Sequence, residues 1–115
     1  MPEPTTTQPF HLEIEDRGTT ALVRCYGKLL AGYADLLYTP VSELMVVHQR
    51  VILDLSHLTH MDSMGLGSLV RLYVHAKSRG TTLELRNLGQ KVRDLLILTN
   101  LLPAFTITGE HNIRM

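Results

Sequence analysis

The 115-residue chain holds one cysteine, two phenylalanines, no tryptophan and no excess of either charge. A lone Cys25 cannot close an internal disulfide; set in an apolar strand-like run it reads as a small buried hydrophobe, and its solitude fits a reducing compartment. Eleven basic side chains balance eleven acidic ones, so no global field draws nucleic acid or an anionic membrane. Apolar runs long enough to cross a bilayer are missing, and the opening MPEPTTTQP has neither the basic nor the apolar part of a signal peptide. A soluble cytoplasmic protein is expected. No H-E-x-x-H, C-x-x-C, P-loop or complete G-x-G-x-x-G pattern occurs, so neither a metal nor a cofactor is expected.

What is present suffices for one domain with its own core. Pro2, Pro4 and Pro9 with three consecutive threonines mark residues 1–9 as a flexible tail, which leaves 10–115 as the domain. Phe10, Leu12 and Ile14 alternate with polar neighbours, Asp16-Arg17-Gly18 turns the chain, and a second apolar run ends at Gly27: an opening hairpin. Thr39-Pro40 predicts a helix start, with Leu44, Val47 and His48 at helical spacing and an end near Gln49. The apolar run Val51 to Leu55 predicts a central strand covered on both faces, followed by a polar loop. Leu66, Leu69, Val70 and Tyr73 form a helical stripe stopped at Gly80. Leu83 and Leu85 alternate with Glu84 and Arg86, which suggests a further strand. Val92, Leu95 and Leu96 suggest a helix ending at Asn100, and Phe105 to Ile107 an edge strand. The order β-β-α-β-α-β-α-β predicts an α/β fold, a mixed sheet with right-handed crossovers packed against helices.

The segment VILDLSHLTHMDSMGLG, Val51 to Gly67, brings Ser63 to a helix N-terminus. A serine there can cap unpartnered N–H groups, or carry a phosphate that meets those donors and the positive end of the helix dipole. Two other chemistries are weaker. His57, His60 and Asp62 lack ligand spacing, so the six histidines read as surface or loop residues. Ser63 with His60 as base would be a small hydrolase, but MDSMG is not the G-x-S-x-G elbow. Gly65 and Gly67 are explained by close approach of the helix to the sheet.

The run D-L-S-x-L-x-x-M-D-S-x-G-L-G-x-L from Asp54 to Leu69, with L-x-L-x-N-L and N-L-L-P-x-F further on, resembles the STAS domains of stand-alone bacterial anti-sigma factor antagonists over residues 10–108. The resemblance implies a non-enzymatic regulator of sigma-factor-dependent transcription. Unphosphorylated, it would bind an anti-sigma factor with a histidine-kinase-like ATPase fold. Phosphorylation of Ser63 by that partner would release it, and a serine phosphatase would reset it. The implied contact surface comprises Asp62, Ser63, Met64, Gly65 and Leu66, with Lys28 and Leu30. Met64 stands where the family commonly has a small residue, and Gly27-Lys28-Leu29-Leu30 replaces the family's G-E-L-D, which changes the charge of the docking surface. STAS domains also serve as scaffolds in stress-signalling assemblies and as subunits of lipid-transport ABC systems, where Ser63 would be a contact or a cap. Homodimerisation stays open.

Overall fold

The computed structural model describes residues 9–108. Strands β1 (Phe10–Arg17) and β2 (Thr20–Leu29) form the hairpin, followed by α1 (Ala34–Val47), β3 (Arg50–Met61), α2 (Ser63–Arg79), β4 (Thr82–Arg86), α3 (Gln90–Leu98) and β5 (Thr106–Thr108). The order agrees with the one predicted. Among the described residues only the β1–β2 pair is antiparallel, and the strands lie in the sheet as β1-β2-β3-β4-β5.

That topology decides where the helices go. Three successive parallel connections step across the sheet in one direction, and each right-handed crossover then places its helix on the same face. The alternation of buried residues agrees: Val23, Cys25, Val51, Leu53, Leu55, Leu83 and Leu85 join Leu37, Val41, Leu69, Leu72 and Leu96 in one core. Val51 to Leu55 is covered on both faces as expected, but helices cover one face only. On the other face Leu22 and Ile52 are buried outside that core, beside a lattice of charged side chains. Arg24 and Arg17 pair with Glu15, and Arg50 and Arg86 with Glu84. Long side chains that lie flat on a sheet can bury aliphatic neighbours while their charges pair or stay wet. Glu84, which alternates with the buried leucines of β4, is itself 2% exposed and accepts hydrogen bonds from Arg50 and Thr108.

Three boundaries differ from expectation. Helix α1 begins at Ala34, not at Thr39, and Pro40 lies inside it. The lost bond would have gone to the carbonyl of Leu36, whose residue is 48% exposed, so proline is tolerated on the wet side. Its buried stripe is Ala34, Leu37, Val41 and Met45, continued by His48, while Val47 is 72% exposed. His48 is thus no surface histidine; its Nδ1 lies 2.8 Å from the Leu44 carbonyl and its Nε2 3.4 Å from Asp16. The expected loop after Leu55 is the outer half of β3, paired with β2 as far as Leu29–Met61. Polar side chains suit it because Ser56 to Met61, past the last pair with β4 at Asp54–Arg86, are exposed or half-buried. Most of the predicted tail, residues 1–8, lies outside the described residues; Pro9 is held, its carbonyl accepting from Lys28 N at 2.8 Å.

Candidate functional site

The extension of β2 and β3 ends where α2 begins, and one carboxylate joins the three. Asp62, the N-cap of α2, has extended backbone, and its Oδ1 accepts from Gly65 N at 2.8 Å. Its Oδ2 accepts from Ala31 N, in the turn that follows β2, at 3.1 Å. The backbone N–H groups of Gly65, then of Ala31 and Met64, stabilise the anion and hold this carboxyl below the usual carboxylate range. The cap is therefore Asp62. Ser63, expected to fill that role, is the first residue within the helix, exposed, with its hydroxyl not needed for capping.

Gly65 explains how close the pieces come. A Cβ at this position would lie 2.1 Å from the Leu29 carbonyl oxygen, so only glycine lets the first turn of α2 rest on the end of β2. The same explanation fails for Gly67, where a Cβ would meet nothing within 4 Å. Gly67 instead leaves a notch in a cleft of about 260 Å³ between the start of α1 and the face of α2. Gly32 and Asp35 line one side; Ser63, Met64, Gly67 and Arg71 line the other.

Of the residues expected to meet a partner, Asp62, Ser63 and Met64 come together at the helix start, and Met64 is 59% exposed. Leu30 lies beside them, its carbonyl accepting from Tyr33 N at 2.8 Å. Lys28 is exposed further back along the ribbon, opposite His60. Gly65 and Leu66 are buried and shape the surface from beneath rather than forming it. His60 does not serve Ser63 as a base; its Nδ1 lies 3.0 Å from the Thr59 hydroxyl. His57 stacks on Tyr26, at 4.7 Å between ring centroids, and Tyr26 stacks on His11 at the same distance.

Arg71 and Asp35 escaped the sequence reading. They lie 3.7 Å apart, and the Arg71 guanidinium rests 4.0 Å above the Tyr38 ring. The available signal was the row Ser63, Gly67, Arg71 at i, i+4, i+8 on one side of α2.

The comparisons with known proteins agree with this architecture. A family model of the STAS domain matches residues 11–112. A STAS-domain containing protein of Pseudomonas aeruginosa is 32% identical over 63 residues, which are 55% of this chain and 62% of that relative, so less than two thirds of the relative is spanned. Among solved structures, the anti-sigma factor antagonist SpoIIAA in its unphosphorylated form superposes with a TM-score of 0.72 at 20% identity, covering 86% of this chain and 89% of that one. The phosphorylated form of the same Bacillus protein gives 0.69 at 19% identity, covering 86% and 92%. An anti-sigma factor antagonist from Mycobacterium paratuberculosis gives 0.77 at 19% identity, covering 90% and 88%. At such identities the structures speak for the fold. No helix among the described residues is long and apolar enough to cross a membrane. With the family match running over nearly the whole described chain, and the sheet order and helix-start geometry in place, the chain belongs to the STAS domain family.

Proposed function

We propose that this chain is an anti-sigma factor antagonist switched by phosphorylation of Ser63, acting in the cytoplasm. The observation that carries the reading is an exposed serine hydroxyl at the first position of α2 whose structural duty is already discharged by Asp62. Such a hydroxyl can be modified without unfolding the helix. In the unphosphorylated state the helix start, with Ser63 and the exposed Met64, docks on an anti-sigma factor with a histidine-kinase-like ATPase fold. In the switching step the Ser63 oxygen attacks the γ-phosphorus of ATP held by that partner. The bond to ADP breaks, ADP leaves, and the hydroxyl proton passes to a base of the partner. The dianion then occupies and repels the docking surface, while lying near the positive end of the helix dipole, so the fold persists and the affinity falls. A serine phosphatase hydrolyses the ester and restores the hydroxyl. Neither fold nor site calls for an activity of the chain itself. Similarity to SpoIIAA, whose two phosphorylation states share this fold, supports the reading.

The test is affinity capture from the native host followed by mass spectrometry of the reconstituted pair. An ATPase of the stated fold should be captured by wild type and by Ser63→Ala, and with ATP it should place one phosphate on Ser63 of wild type alone. Absence of phosphate at Ser63, both in the host and in the pair, refutes the switch and leaves a scaffold or transport-subunit role.

A further inference from the structure

We propose that Arg71 grips a phosphate on Ser63 across the notch left by Gly67, exchanging its partner Asp35 for the phosphate. The inference rests on the reading of Ser63 as a phosphorylation site and adds how this chain accommodates the charge.

A phosphate on Ser63 arrives in a crowded electrostatic setting. The cap donor of α2 that would best receive it, Gly65 N, is already bound to Asp62 Oδ1 at 2.8 Å, so the new dianion stands beside an existing carboxylate. Asp35 lines the same cleft and adds a second one. Among the described residues, Arg71 is the single cation lining it. Helical side chains lean toward the N-terminus, which directs Arg71 back along α2 toward Ser63. Eight residues rise about 12 Å along a helix, of which an extended arginine covers more than half, and Ser63 and Arg71 line the same cleft, across which phosphate and guanidinium meet. No side chain stands between them at Gly67, where a Cβ would meet nothing within 4 Å.

The present partner of Arg71 is easy to leave. The Asp35 pair is 3.7 Å long, and its side chains are 56% and 85% exposed, so it contributes little. A phosphate dianion offers the planar guanidinium two charge-assisted hydrogen bonds instead of one long contact. The stacking on Tyr38 at 4.0 Å keeps Arg71 at the cleft in either state. Phosphorylation then closes the cleft as well as charging it, and a partner element that needs that cleft is shut out by occupation.

Phosphoserine is introduced at position 63 during synthesis of the full chain, so the experiment needs no kinase. The second phosphate ionisation is followed by phosphorus NMR in wild type, Arg71→Gln, Arg71→Lys and, as a remote cation on the same helix, Arg79→Gln. A gripping arginine stabilises the dianion, so Arg71→Gln should raise this ionisation by about half a unit or more, Arg71→Lys by less, and Arg79→Gln hardly at all. The Arg71 Nε–Hε resonance should move along the same titration. Equal values in wild type and Arg71→Gln overturn the grip, as does an equal response to Arg79→Gln. Thermal unfolding of the unphosphorylated variants, expected to match wild type, guards against a folding defect, and the resonance of Arg71 in wild type decides the question should a variant misfold. A host that never phosphorylates Ser63 would refute the proposed function and leave this result intact.

Discussion

Two glycines two residues apart in α2 should respond in opposite directions to the same substitution. An added methyl in a helix interior gains ~0.5–1 kcal/mol over glycine through lower backbone entropy in the unfolded chain. At Gly67 nothing lies within 4 Å of the new Cβ, so Gly67→Ala should stabilise by that full amount. At Gly65 the methyl would meet the Leu29 carbonyl oxygen at 2.1 Å and both the carbonyl carbon and Cγ of Leu29 at 3.0 Å. Two of these three atoms are backbone and cannot rotate away. The start of α2 would have to retreat by roughly 1 Å, which costs about 1–3 kcal/mol as overpacking. The retreat also stretches the bonds from Gly65 N and Ala31 N that meet at Asp62, now 2.8 and 3.1 Å. With about 1 kcal/mol added for the stretched bonds and the propensity gain subtracted, Gly65→Ala should lose about 1–3 kcal/mol. In a domain of this size that lowers Tm by roughly 5–15 °C, whereas Gly67→Ala raises it by a few degrees. Urea and thermal unfolding followed by circular dichroism measure both. A Gly65→Ala protein as stable as wild type, or equal losses at the two positions, would refute the close-approach argument.

Ser63→Ala should change stability by no more than about 0.5 kcal/mol, because Asp62 is the cap, while Asp62→Ala should lower Tm clearly; a reversed order in thermal unfolding would restore Ser63 as the cap. Asp62 has a carboxyl depressed by its hydrogen bonds in the folded state, so its contribution is fully present above the unfolded value, about pH 4, and is lost as pH falls through the folded value. Asp62→Asn should therefore unfold with a shallower acid limb than wild type, and an unchanged limb would count against the clasp. Full burial pushes the Cys25 thiol far up, so a thiol reagent at neutral pH should label Cys25 only at the rate of unfolding; rapid labelling of native protein would contradict its burial.

The order of elements was legible because their periods differ: two in Phe10–Ile14, and three to four from Leu66 to Tyr73. What the residues concealed depended on neighbours distant in sequence. Ser56 to Met61 looks like a loop by composition, and it is a strand because β2 runs beside it. Glu84 alternates like a solvated residue, yet Arg50 and Thr108, from the strands on either side, meet it in a buried position together with Arg86 of its own strand. In the site, the Asp-Ser pair marked a helix start without saying which residue caps it. Both types cap well, and the second hydrogen bond from Ala31, thirty-one positions away, is what favours Asp62. Arg71 was invisible because its role depends on the cleft opposite.

The outer half of β3 also has a kinetic side. Pairing of β3 with β4 stops at Asp54–Arg86, whereas pairing with β2 continues to Leu29–Met61. In parallel pairs successive residues direct their amides to alternate sides, so past Asp54 the amides of β3 turned away from β2 have no strand across from them. On its other side β2 is backed by β1 as far as Phe10–Gly27, so only the last pairs, Lys28–His60 and Leu29–Met61, form a two-stranded ribbon; such a ribbon is barely stable by itself, and it is anchored at its far end through Asp62 and Gly65. Deuterium should enter Ser56–Met61 long before Val51–Leu53, at a rate set by local opening and not by global unfolding. Each such opening releases Asp62 and the helix start together, so the surface carrying Ser63 breathes at the frequency of a two-stranded ribbon while the rest of the sheet stays closed.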